Sequence, residues 1–186
     1  MKLLLTRNDV SPDSSTKYDE TPLWWDAGNC HEGIAKRLLE RKEVNPDTPD
    51  TRDSRTPLSW AAERGHEGIV KLLLGRKEVN PDTTDTSYGR TPLLWAAMHR
   101  REGIVKLLLE RKEVNPDTPG TEDGRTPLSW AAWNGHEVIV ELLLQRQDVN
   151  PNCADKSGNT PLMLATKNGH NRVVELLTAQ HSRSIR

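Results

Sequence analysis

Apolar residues along the chain gather in blocks with two alternating rhythms. Between Thr56 and Gly65, Leu58, Ala61, Ala62 and Gly65 recur three or four apart, with Glu63 and Arg64 on the opposite side. This spacing predicts a short helix with a narrow seam of small residues. After Gly65, the apolar residues Ile69, Val70, Leu72, Leu73 and Leu74 fill nearly the whole circumference of a second predicted helix, as burial against that seam requires. Thr56 is placed to accept from the first free amides, and Pro57 suits the first turn because its missing N–H had no partner to lose. Val79, Asn80 and Pro81 end the second helix, since a residue before proline is pushed out of helical geometry. The stretch up to Gly89, rich in Asp and Thr, predicts a loop or hairpin finger.

The same pattern returns down the chain. TPLSWAA at Thr56 recurs unchanged at Thr126, as TPLLWAA at Thr91, TPLWWDA at Thr21 and TPLMLAT at Thr160, with spacings of 35, 35, 35 and 34 residues. A fixed period of this length means one helix–helix–finger unit stacked on copies of itself, each covering its neighbour's apolar side. The opening KLLLTRNDVSPD parallels KLLLGRKEVNPD at Lys71, so residues 1–20 read as a leading half unit. The expected architecture is a single all-α solenoid domain over residues 1–186, with five units beginning near Thr21, Thr56, Thr91, Thr126 and Thr160. Second helices lie on its convex side, and first helices with fingers on its concave side.

Composition removes several functions. The 26 basic and 27 acidic residues leave a formal charge of −1, with no basic stripe to follow a phosphate backbone, so nucleic acid is not an expected partner. Apolar runs are mostly of three or four residues, as at Leu72 to Leu74, and reach six at Leu93 to Met98, too short to cross a bilayer. Cys30 and Cys153 belong to different units, several helix layers apart at roughly 8–10 Å per layer, which places them beyond disulfide reach and fits free thiols in a reducing, cytoplasmic compartment. His31, His66, His136 and His170 stand one or two units apart, too far to share a metal, and are expected to tie neighbouring units together. Asp47, Asp50 and Asp53 lack the glycine and glutamate of a calcium loop and suit Asx-turns. No phosphate cradle, nucleophile elbow or Cys-x-x-Cys pair is present, so neither enzyme activity nor a cofactor or metal is expected.

The landmarks occur in a familiar order: TPL with a following AA, Gly-His, an apolar helix ending in Leu-Leu, Val-Asn, and a finger leading to the next TPL. In this the chain resembles the ankyrin repeat family over nearly its whole length. The resemblance implies a module that recognises another protein, a monomer unless the leading half unit self-associates. Four departures from the family pattern stand out. The histidine after TPL gives way to Trp24, Ser59, Leu94, Ser129 and Met163. Trp25, Trp60, Trp95 and Trp130 follow where leucine is common, in a variant similar to arrays common in fungal proteins. The glycine that ends the second helix becomes Lys42, Lys77, Lys112 and Gln147, which leaves that exit open, and about three extra residues lengthen each finger.

On a wheel of about 100° per residue, Trp60 lies about 200° from the buried Leu58, facing outward. The four equivalent tryptophans therefore form either an exposed docking ladder or packing between first helices; a residue present in every unit says little about partner choice. Variety is greatest one turn on, where Met98 and Trp133 place large apolar groups at solvent-facing positions of neighbouring units. The expected docking centre is Trp95, Met98, His99, Trp130 and Trp133, rimmed by Tyr88, Arg90, Glu122 and Arg125. Two other functions fit the same residues: a sensor segment belonging to a larger signalling protein, and a small-molecule or enzyme site in the tryptophan groove.

Overall fold

The computed structural model describes residues 13–183, with side chains through Gln180, so the expected half unit at 1–20 falls outside it as far as Pro12. Among the described residues ten helices form and no strand: α1 Pro22–Asn29, α2 Glu32–Leu39, α3 Pro57–Arg64, α4 Glu67–Leu74, α5 Pro92–Met98, α6 Glu102–Leu109, α7 Pro127–Asn134, α8 Glu137–Leu144, α9 Pro161–Lys167 and α10 Asn171–Arg183. The odd-numbered helices lie side by side in one layer and the even-numbered helices in a second.

Local chemistry explains where the first helices begin and end. Oγ1 of Thr21, Thr56, Thr91, Thr126 and Thr160 accepts from the amide three residues on, at 3.2–3.3 Å, with proline filling the first helical position each time. Such a cap stabilises by about 1 kcal/mol. A left-handed residue turns the chain toward the second helix: Gly65, Gly135 and Gly169 do so freely, while Cys30 (φ 62°) and Arg100 (φ 56°) do so with a side chain. Ala27, Ala61, Ala62, Ala96, Ala97, Ala131 and Ala132 are fully buried, so the small-residue seam lets the layers approach closely. The apolar core runs without a break from Leu23 to Leu177.

Four lines of hydrogen bonds run between successive units. At the finger tips, Thr51, Thr86, Thr121 and Lys156 donate backbone N–H groups to the carbonyls of Tyr18, Asp53, Tyr88 and Asp123, at 2.6–2.8 Å. Behind the fingers, the Asn of each Val-Asn-Pro step donates its amide to an Asp of the preceding unit, Asn80 to Asp47 at 3.1 Å, Asn115 to Asp82 and Asn150 to Asp117 at 2.7 Å. The other carboxylate oxygen of Asp47, Asp82 and Asp117 is buried without a partner, and burial raises each of these pKa values above the ordinary carboxylate value.

Between the layers, ring nitrogens of His66, His136 and His170 meet the carbonyls of Gly28, Met98 and Trp133, at 3.3, 3.3 and 2.9 Å. In the third unit Arg101 replaces the histidine and donates to Glu63 O at 2.9 Å. His31 instead pairs with Asp26 of its own unit at 2.9 Å.

The fourth line settles how the second helices end. Their closing residues Glu40, Gly75, Glu110 and Gln145 keep right-handed geometry, so no left-handed glycine is used. The exposed carbonyls are satisfied from the following unit. Arg76 donates to Leu39 O (2.7 Å), Arg41 O and Val44 O, Arg146 donates to Leu109 O (3.0 Å), Arg111 O and Val114 O, and Arg111 donates to Leu74 O (2.9 Å). The guanidinium fork suits this task because several donors diverge from one plane.

Candidate interaction surface

The tryptophans of the first helices point away from the second-helix layer, but the fingers fold over them. Arg55, the residue before Thr56, stacks its guanidinium 3.7 Å from the Trp60 ring centre and 4.5 Å from that of Trp95. Arg90 repeats this one unit on, 4.8 Å from Trp95 and 5.7 Å from Trp130, and Arg125 lies 4.9 Å from Trp130 and 4.2 Å from Trp133. Indole faces carry negative potential, so a guanidinium between two of them is attracted to both. Carboxylates hold the arginines in place: Glu63 lies 2.5 Å from Arg55, Glu122 3.4 Å from Arg90 and Asp155 3.4 Å from Arg125.

This roof corrects two expectations. Trp95 is not an exposed docking residue: it is only 5% exposed, and its indole N–H donates to Asp85 Oδ2 at 2.9 Å. Arg90 is not an exposed rim residue either, at 8% exposure, because it is clamped among Tyr88, Trp95 and Trp130. Trp130 and Arg125 are half-buried in the same stack. The indole N–H of Trp130 is buried without a partner, because Gly120 stands ten residues before it where Asp85 precedes Trp95. The Trp60 N–H is likewise unpartnered, the carboxylate of Asp50 being taken by Trp24 Nε1 at 3.2 Å.

The remaining candidates reach the surface. Tyr88 is 41% exposed at a finger tip, edge-on to Trp95 with ring centres 6.3 Å apart. Glu122 is exposed, and Met98, His99 and Trp133 are half-exposed. His99 stacks on Trp95 at 5.7 Å and 23°, with Nδ1 3.1 Å from Trp95 O. The structure therefore brings Tyr88, His99 and Trp95 into one contact group and sets Trp133 against Arg125.

The sequence names Trp25 in the tryptophan row but gives no docking role to this head of it. Glu20 stands where later units carry Arg55, Arg90 and Arg125, and it pairs with Arg52 instead. Trp25 is consequently uncovered, 49% exposed, with Trp24 edge-on to it at 5.6 Å and to Trp60 at 5.0 Å. The break in the arginine row at Glu20 was the available signal.

Among the described residues no cluster of three or more His, Cys, Asp or Glu is placed to hold a metal, and no helix is long and apolar enough to cross a membrane. What the geometry defines is a stack of helical hairpins with projecting fingers, carrying a row of side chains along one layer. The family described as ankyrin repeats (3 copies) matches at residues 1–85, 35–119, 74–153 and 112–185, so the chain belongs to the ankyrin repeat family. Members are generally protein–protein interaction modules and typically not enzymes. No curated protein matches the chain.

Proposed function

We propose that this protein binds a partner protein on a concave surface formed by the first helices and fingers, with Met98, His99, Trp133, Tyr88 and Glu122 making direct contact. Trp95, Trp130, Arg90 and Arg125 hold these residues from behind. The supporting observation is the placement of two large apolar side chains, Met98 and Trp133, half-exposed at the most variable positions of adjacent units. A surface already fixed by stacking loses little side-chain freedom when it binds, so its contacts convert efficiently into affinity. Binding requires no cofactor, metal, nucleic acid or membrane, and the chain acts as a monomer. Cys30 and Cys153, both free thiols, fit a cytoplasmic location.

Capture of partners from the native source, compared between the wild type and a Met98→Ala/Trp133→Ala double variant, tests this. Trp133→Ala is expected to weaken binding by about 2 kcal/mol. Its thermal stability should fall by less than about 1 kcal/mol, the scale of one partly exposed cation–π contact. Unchanged capture by the double variant would remove this surface from consideration.

A further inference from the structure

The uncovered head of the tryptophan row forms a second, chemically distinct place on the same layer. Here the indoles of Trp24, Trp25 and Trp60 wall an open groove of about 250 Å³, floored at Gly28 and edged by Arg52 and Arg64. A Cβ added at Gly28 would touch nothing within 4 Å, so the floor is vacant space and not packed interior. The groove is smaller than the roughly 300–1,000 Å³ of small-molecule sites and suits one bulky side chain of a larger partner.

Its charge narrows the occupant. Glu20, 5% exposed, is neutralised by Arg52, which also lies over the Tyr18 ring at 4.3 Å. Arg64 is exposed, 5.6 Å from the Trp60 ring centre, and has no carboxylate within ion-pair distance among the described residues. Arg55 already occupies the Trp60 ring at 3.7 Å. A cationic guest would meet the unpaired guanidinium of Arg64 and, in Glu20, a carboxylate that Arg52 already takes. An anionic guest would meet one guanidinium with no partner, beside apolar indole faces.

We propose that this groove is a docking subsite for an acidic segment of the partner protein, seating an aromatic or large aliphatic side chain among Trp24, Trp25 and Trp60. A neighbouring carboxylate of that segment pairs with Arg64. The inference rests on the reading that this layer recognises protein, and it assigns the partner a sequence character: an apolar anchor flanked by Asp or Glu.

The test uses the full chain and three peptides, Ac-Glu-Asp-Phe-Asp-Glu-NH2, its amide counterpart Ac-Gln-Asn-Phe-Asn-Gln-NH2, and Ac-Lys-Lys-Phe-Lys-Lys-NH2, followed by NMR of the indole N–H signals. The acidic peptide is expected to shift the signals of Trp24, Trp25 and Trp60 and to bind about two- to fivefold more tightly than the other two, the gain an exposed ion pair gives. Gly28→Leu should abolish the shift without lowering the thermal midpoint, because the new side chain enters empty space. Arg64→Gln should reduce the acidic peptide to the level of the amide peptide. Equal binding of all three, preference for the lysine peptide, no shift at all, or unchanged binding in both variants would each overturn the proposal. The Met98→Ala/Trp133→Ala variant should keep the peptide shift while losing partner capture. Capture that depends on that pair, together with silence of the Trp25 signals, would discard this groove alone.

Discussion

Arg100 and Cys30 occupy positions where Gly65, Gly135 and Gly169 turn the chain left-handed without penalty. A side chain there costs about 1–2 kcal/mol, part of which glycine returns as greater freedom of the unfolded chain. Arg100→Gly is therefore expected to stabilise the protein by about 0.5–1 kcal/mol, seen as a higher denaturation midpoint at unchanged slope. A lower midpoint would mean that the Arg100–Glu102 pair, 3.3 Å apart and exposed, outweighs the backbone strain. Trp95 teaches the complementary lesson about residues. The wheel correctly turned it away from the second helices, yet it could not show that Arg55, Arg90, Tyr88 and Asp85 close over it, because these partners come from fingers whose path no periodicity encodes.

At the scale of elements, the first helices were legible because everything that makes them is local: a threonine cap, a proline, two alanines and a left-handed exit within ten residues. The second-helix exits were not, because their carbonyls are satisfied from the following unit by Arg76, Arg111 and Arg146. The recurring arginine before Lys77, Lys112 and Gln147 was visible, but nothing in its own unit said where it would reach. Arg76→Lys keeps the charge but offers one point of donation where the fork serves the carbonyls of Leu39, Arg41 and Val44. It is expected to lose about 1–2 kcal/mol, as orphaned carbonyls cost, with little dependence on salt in chemical denaturation. A loss that disappears at high salt would assign the arginine to its surface pair with Glu78 instead.

Across the whole molecule, the Asp47, Asp82 and Asp117 carboxylates form a row with one buried, unpartnered oxygen each. Burial raises their pKa in the folded chain, so the stability they contribute is present below the ordinary carboxylate pKa and is lost as pH rises through the folded value. Near neutral pH each charged group therefore opposes folding. Asp82→Asn, which keeps an acceptor for the Asn115 amide, is expected to raise the thermal midpoint at pH 7 and to lose that advantage as the solution is acidified. A deficit at pH 7 would mean that the charge-assisted bond to Asn115, at 2.7 Å, exceeds the cost of burial. The fourth unit already carries Asn152 at this position.

The four parallel lines of ties give the stack the property of a ruler. Each unit between them adds a similar increment, so the separation between the Trp25 groove and Trp133 is set by the number of units stacked between. A companion that grips both ends must carry its own two grips at that span. Duplicating one unit between them would leave each grip intact and still make it impossible to hold both at once.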